Sequence, residues 1–501
     1  MDRLLVLKKV DFTDKNIVLF LVYSVLLFIL IIETPNKLFY IKEHFYIVSI
    51  FGFIGVYRFS LWLVHLVRAQ IYEKITYSGI RKKADILSEN QWKPERLYFM
   101  MVSYAEDSKI LYNSIKSIIQ EARNFDLPAT ICMGSACFHD EKVASDVIST
   151  IPYGDRVKVI FVRQDSPNKR LQIGRAIRAL VRQGIKDNDP VVFMDGDTII
   201  KPGCLRKCLP VFRLEPNVHG LTTNEKAIVT NSSFLSNILS LRFAIRNFHM
   251  NSLALSKRVL CLTGRFSIFR AGQISQEDFI FRVENDYIDD WFWKRIPFLS
   301  GDDKSTWYTL LKKGAEMLYI PDAYIYSVEK SSKNSLLEYI ENLKRWSGNM
   351  LRNNGRALAL GTKKIGFFPW LILLDQRISM WTAIISPAII VLTMFRDIQL
   401  TYMVVIWVLF VKYMQSLLIF YYGGKINYTY PIIYYLHQFL NGVVKIYMLF
   451  HLRLQRWNNY NISVEINSPK EKFHFAFAKY VTGLYLVIFL ILINLLISFP
   501  N

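Results

Sequence analysis

The apolar residues of this chain gather at its two ends, and a more polar, alternating middle lies between them. Ile17 to Ile32 is a nearly uninterrupted apolar run, just long enough to cross a bilayer as a helix. Tyr46 to Val67 is a second, with Arg58 inside it. After about Gly361 the chain turns apolar again, with runs at Ser379–Phe395, at Leu400–Tyr422 (carrying Lys412) and at Tyr480–Phe499. Arg3, Lys8 and Lys9 precede the first run and no small-residue cleavage site follows it, so a retained anchor is expected. Arg68, Lys74, Arg81, Lys82 and Lys83 follow the second, which predicts a cytosolic location for the middle segment. Pro431–Leu452 is ambiguous. His437, Asn441 and Lys445 recur at helical spacing beside Gln438, which suits a helix lying at the interface or one lining an aqueous path. The interfacial choice keeps Arg453, Arg456, Lys470 and Lys472 cytosolic, favouring five spans over six.

Composition narrows the class. Of 501 residues 52% are hydrophobic, too many for an ordinary soluble enzyme. The net charge of +21 fits basic cytoplasmic loops and attraction to membrane lipids. It also suits an anionic nucleotide-sugar or polymer, while no nucleic-acid motif accompanies it. The odd number of cysteines (Cys132, Cys137, Cys204, Cys208 and Cys261) and their loose spacing argue against a disulfide framework and against zinc. Reduced thiols are expected.

From Leu97 to Asp195 the pattern alternates. Leu97–Tyr104, Ala129–Met133, Val157–Val162 and Val191–Met194 read as short strands. Ser108–Asn124 and Asn168–Gln183 keep a helical rhythm, the latter with Arg175, Arg178 and Arg182 on one face. Such alternation predicts a mostly parallel sheet that binds ligands at the carboxyl ends of its strands.

Asp195-Gly196-Asp197 stands at such an end. Paired carboxylates there suit Mg²⁺ or Mn²⁺ bridged to a diphosphate. Gly301-Asp302-Asp303 offers a general base, with Asp303 the better candidate, although either aspartate would also cap the helix after it. Arg345 and Trp346 supply a planar cation for a diphosphate and an indole for a sugar face. Trp291, Trp293 and Trp307 could also stack on a sugar, but core packing is the expectation for each. Arg58 and Lys412 are costly in hydrocarbon and are expected to face a bundle interior, as candidates for the path of an anionic polymer, with snorkelling the alternative. The sequons at Asn231, Asn427 and Asn461 carry no weight in cytosolic segments.

The order of these motifs resembles that of the family 2 processive glycosyltransferases, the group of cellulose, hyaluronan and chitin synthases. Asp195-Gly196-Asp197 matches that family's Asp-x-Asp, Gly301-Asp302-Asp303 its carboxylate pair, and Asn342-Leu343-Lys344-Arg345-Trp346 its Gln-x-x-Arg-Trp, with Asn342 in place of Gln. Within the group, Gly301-Asp302-Asp303-Lys304-Ser305, the stretch Asn342–Leu360 and Asp375-Gln376-Arg377 with Trp381 are similar to the catalytic subunits of bacterial mannuronan (alginate) synthases. Met133-Gly134-Ser135 stands where many relatives carry an Asp-Asp pair on the nucleotide base. Ser103, Tyr104 and Glu106 resemble the nucleotide-binding end of the first strand, and Lys169-Arg170 the basic pair near the diphosphate.

The resemblance implies a cytosolic α/β domain of the GT-A, Rossmann-like type, set between the transmembrane helices of a multi-span protein in the bacterial cytoplasmic membrane. Two helices would occupy residues 1–70, the catalytic domain 71–340, interfacial helices 341–376 and a C-terminal membrane domain 377–501, with a basic loop at 453–476. It implies inverting transfer, with a metal and the donor diphosphate at Asp195 and Asp197, base catalysis by Asp303, and Arg345 and Trp346 at the pyrophosphate and acceptor. GDP-mannuronate is the implied donor, a growing polysaccharide the acceptor, and a separate cyclic-di-GMP-binding membrane subunit the implied partner. A hyaluronan- or cellulose-like synthase using UDP-sugars and a non-processive lipid-carrier transferase are the alternatives.

Overall fold

The computed structural model describes residues 14–33, 45–90, 92–230, 232–298, 300–330, 334–395, 397–424, 427–457, 462–463 and 468–498. Arg3, Lys8, Lys9, Asn231, Asn461 and Phe499 lie outside them. Among the described residues two apolar helices come first. α1 (Lys15–Ile32) starts where the Asp14 carboxylate accepts the Asn16 N–H. α2 (Phe45–Ile71) runs through a π-helical segment, Tyr72–Thr76, into α3 (Tyr77–Glu89). This junction is fixed to the middle domain, with the Tyr72 hydroxyl donating to the Tyr319 carbonyl at 2.6 Å and Arg81 to the Lys207 carbonyl at 2.8 Å.

β1 (Leu97–Ser103), α4 (Ser108–Phe125), β2 (Ala129–Ser135), α5 (Phe138–Thr150), β3 (Val157–Arg163), α6 (Lys169–Val181) and β4 (Pro190–Asp195) follow in the expected alternation. β1 and β2 are buried at every position, as strands covered by helices on both faces should be. Asp107 caps α4 and Asn168 caps α6, each accepting backbone N–H groups of the first turn. The next elements are β5 (Thr198–Ile200), α7 (Cys204–Leu214), β6 (Val218–Thr230), α8 (Ser233–Ala254), β7 (Phe266–Arg270) and α9 (Glu277–Asn285). A hairpin, β8 (Tyr287–Asp290) with β9 (Lys294–Pro297), then precedes α10 (Asp302–Lys312) and β10 (Glu316–Lys330).

The main sheet has eight strands in the order β3-β2-β1-β4-β7-β6-β10-β5. β3, β2, β1 and β4 run parallel, β7 runs against both β4 and β6, β10 pairs parallel with β6, and β5 closes the edge antiparallel. Val102 and Asp195 are cross-strand partners, so the carboxyl ends of β1 and β4 open side by side.

Among the described residues five long helices follow: α11 (Ser335–Leu358), α12 (Phe367–Thr393), α13 (Ile398–Gly423), α14 (Tyr430–Phe450) and α15 (Pro469–Ser498). Among the described residues four helices are long and apolar enough to cross a membrane: α1, α12, α13 and the Pro469–Leu495 part of α15. α12 and α15 both start well before the apolar runs read from sequence, so Asp375-Gln376-Arg377 lies inside a continuous helix. A shared core seats the domain on these helices: Leu239 of α8, Trp293 of the hairpin, Leu351 of α11, Met448 of α14 and Phe475 of α15 are buried together. Trp293 and Trp307 are core residues as expected, but Trp291 is not; it is 86% exposed at the hairpin tip, where the chain has no second layer to cover it.

Candidate active site

A cavity of about 1040 Å³ begins at the carboxyl ends of β1 and β4 and continues between the helices. Its domain end is lined by Tyr104, Glu106, Lys169, Asp195, Asp197, Asp302 and Asp303, its middle by Arg345 and Trp346, and its far end by Arg58, Asp375, Lys412 and Lys445. The catalytic and membrane candidates of the sequence therefore share one space.

Asp195 is the last residue of β4. The Gly196 N–H donates to the Val102 carbonyl at 3.0 Å, folding the acidic turn back over β1. A side chain at Gly196 would meet the Ser103 hydroxyl at 3.1 Å, so the turn suits glycine. Lys169, at the start of α6, places its ammonium 2.8 Å from Asp195 Oδ1 and 3.6 Å from Asp302 Oδ2. Burial, then the charge of Asp195, pushes the Asp197 carboxyl above the usual range, against the pull of Arg265. Glu106 is pushed up to about 8 by burial and by the neighbouring Asp197, Asp195 and Asp140. Carboxylates this crowded favour a positive charge among them. No three His, Cys, Asp or Glu side chains converge as a metal cage among the described residues. Two aspartates with room beside them nevertheless fit a metal that takes its remaining oxygens from a diphosphate and water.

Gly301 precedes the base candidate with φ +85, and a Cβ there would lie 2.8 Å from Asn349 Cγ, so glycine is required. Gly301 is itself the cap residue of α10; Asp302 and Asp303 fall in the first turn instead, at the positive end of the helix. Asp303 Oδ1 accepts the Lys304 N–H at 2.8 Å, and Oδ2 lies 3.2 Å from the Cys261 thiol. Burial and then Asp302 raise its pKa, which suits a proton acceptor.

Arg345 and Trp346 project from α11 into the cavity. Asn342, where the resembled family carries Gln, accepts from Arg345 at 3.2 Å and so fixes that guanidinium. Arg345 Nε is buried without a partner among the described residues. The Arg242 guanidinium lies 3.2 Å from the centre of the Trp346 ring, covering one indole face. At the far end Arg58 Nη1 meets Asp375 Oδ1 at 2.6 Å, and the Tyr57 hydroxyl donates to the same oxygen at 3.0 Å. Lys412 donates to Gln415 at 2.8 Å and to Gln438. His437, Gln438, Asn441 and Lys445 of α14 all line the cavity.

Two candidates do not reach the space. Ser103 is buried and donates to Asp140 Oδ2 at 2.6 Å, bracing the β1 loop. Arg170 turns behind the site, donating to the carbonyls of Val283 (2.8 Å) and Ser300 (3.3 Å) and to Ser305 Oγ (3.1 Å). It supports the base helix from the rear. Sequence reasoning missed Arg242, Cys261 and Arg265, which line the same cavity. Arg242 and Arg246 stand four apart on α8, a one-sided basic pair that was legible; Cys261 and Arg265 belong to an irregular loop and carried no signal.

A family profile described as "Glycosyltransferase like family 2" matches residues 94–349. The protein "Glycosyltransferase alg8" of Pseudomonas syringae pv. tomato is 36% identical over 87% of this chain and 89% of its own length. The protein of the same name from Azotobacter vinelandii is 34% identical over 83% and 84%. Among solved structures, a mannosyltransferase from Pyrobaculum calidifontis in complex with GDP-Man and Mn²⁺ covers 60% of this chain and 76% of its own at 13% identity and a TM-score of 0.37.

Proposed function

The chain belongs to glycosyltransferase family 2, and we propose that it polymerises GDP-mannuronate into poly-β-1,4-mannuronate and passes the product across the bacterial cytoplasmic membrane. The observation that carries this reading is the single cavity running from Asp303 to Lys412 and Lys445. A transferase that adds one sugar to a lipid carrier has no use for such a polar extension between its helices.

The donor diphosphate lies at the β4 end, against Lys169 and Arg345, the cations that face it. Mg²⁺ or Mn²⁺ held there by Asp195 and Asp197 would neutralise the charge growing on the leaving nucleoside diphosphate. Asp303 accepts the proton of the acceptor hydroxyl as that oxygen attacks the anomeric carbon from the side opposite the diphosphate, inverting it. Trp346, one face covered by Arg242, offers its remaining face to the acceptor sugar. The lengthened chain then moves into the space lined by Arg58, Lys412 and Lys445. The catalytic domain faces the cytosol, five segments span, and a separate cyclic-di-GMP-binding membrane subunit controls the enzyme.

Membranes incubated with Mg²⁺ and GDP-mannuronate, UDP-glucose, UDP-glucuronate plus UDP-N-acetylglucosamine, or GDP-mannose test the proposal. High-molecular-weight product from GDP-mannuronate alone, absent from Asp303→Asn membranes, is expected. Polymer from a UDP-sugar overturns the donor, and a single sugar on lipid overturns processivity. The same assay with the companion subunit and cyclic-di-GMP tests the control.

A further inference from the structure

We propose that the tip of the β8–β9 hairpin and the first turns of α15 form a docking surface for anionic lipid headgroups, tying the helix that carries Asp303 to the bilayer surface. Trp291 at the tip is 86% exposed, and Phe473 and Tyr480 on α15 are each 66% exposed. Lys294 on the hairpin and Lys470 and Lys472 on α15 are exposed among them. Bare aromatic rings interleaved with lysines mark the level where a membrane gives way to water. A protein partner would select against those lysines, which are depleted from protein interfaces, whereas anionic headgroups select for them.

The surface is continuous with a membrane helix. Phe292 lies with its ring centre 4.9 Å from His474 and 5.8 Å from Phe477, and Trp293 lies 4.8 Å from Phe475. The hairpin therefore sits against the charged first turns of α15, just before the apolar run that begins at Tyr480 in the sequence. Glu471, the one acid in the first turn of α15, is paired with Arg453, and Asp289 of the hairpin with Arg295, while Asp290 accepts the Phe292 and Trp293 N–H groups, so Lys294, Lys470 and Lys472 leave the local charge basic.

The hairpin is also anchored by the end of α14 and the segment after it. Trp293 Nε1 donates to the Phe450 carbonyl at 3.2 Å and Gln455 to the Pro297 carbonyl at 2.8 Å. A few residues after Pro297 come Gly301 and the two aspartates. A hairpin held at the lipid surface thus fixes Pro297, the end of β9 from which the chain goes on to α10.

The full chain in lipid discs tests this without any sugar transfer, so its failure leaves the polymerase reading standing. Discs of phosphatidylcholine, with or without phosphatidylglycerol, would carry bromine near the glycerol or near the methyl end of the acyl chains. The emission lost in Trp291→Ala is that of Trp291. It is expected to be blue-shifted and quenched more by the shallow bromine than by the deep one. Exchanging Lys294, Lys470 and Lys472 for Gln is expected to abolish the gain in quenching from phosphatidylglycerol. An unquenched, red-shifted difference emission overturns the proposal. So does one that responds only to an added protein subunit, which would make the face a protein interface. Should Trp291→Ala fold poorly, amine acylation of Lys294 in the unaltered protein serves instead. Protection in anionic discs but not in detergent is expected, and equal labelling overturns the proposal.

Discussion

Both oxygens of Asp303 are engaged, one by the Lys304 amide and one by the Cys261 thiol, and neither donor is a strong cation. Burial, and then the charge of Asp302, raise its pKa and outweigh those bonds and the Lys304 ammonium, which pull it down. A base works ionised, so polymerisation should fall as pH drops, along an acid limb above the ordinary aspartate value of about 4. Asp302→Asn removes a neighbouring negative charge and should move that limb to lower pH; rate–pH profiles of the two proteins check the sign. Asp303→Asn should lower the transfer rate by about 10²–10⁴ while nucleotide binding survives. Gly301→Ala forces a side chain into left-handed backbone and against Asn349, and should cost about 1–3 kcal/mol, read as a lower unfolding temperature in detergent. The aspartates were legible because strand-end acids and a short acidic motif carry their chemistry in their order. Arg170 was misread through its neighbour. Adjacent residues on a helix point about 100° apart, so only one of Lys169 and Arg170 reaches the cavity.

At the scale of elements, the four strands read from sequence all form, because an apolar run bounded by polar turns has few other ways to bury itself. The second half of the sheet was not read, since β5 is too short and β6 and β10 too polar at their ends to stand out. The start of α12 was hidden differently. Lys363-Lys364-Ile365-Gly366-Phe367-Phe368 reads as a basic-aromatic membrane surface, but Gly366, at φ +89, ends the short helix Thr362–Ile365 and a new helix begins at once at Phe367. That early start brings Asp375 opposite Arg58 of α2. Removing one partner leaves the other charged among apolar helices, whereas removing both does not. Asp375→Asn should therefore destabilise by about 2 kcal/mol, less than a fully buried pair loses, because the Arg58 side chain is 36% exposed. Arg58→Met with Asp375→Leu should recover most of it, and thermal unfolding of the three variants in detergent forms the cycle.

The whole molecule sets a charge problem that the domain alone does not. Where α2, α12, α13 and α14 line the cavity, Arg58, Lys412 and Lys445 face one carboxylate, Asp375. Cations in such a place cost free energy unless something anionic repeatedly occupies it. A polymer with a carboxylate on every sugar would do so, and each residue added at Asp303 would advance another negative charge toward Lys412. Chain length should then depend on these cations more than the first transfer does, because the grip tightens only once the polymer reaches them. In Lys412→Met and Lys445→Met the product should shift to shorter chains, while incorporation onto a short acceptor falls by less; Lys412→Arg should retain length. Product sizing beside an initial-rate assay separates the two effects. An equal fall in both would mean that the lysines hold the helices together, and a neutral polymer made at full length by the same variants would place selectivity at the donor site instead.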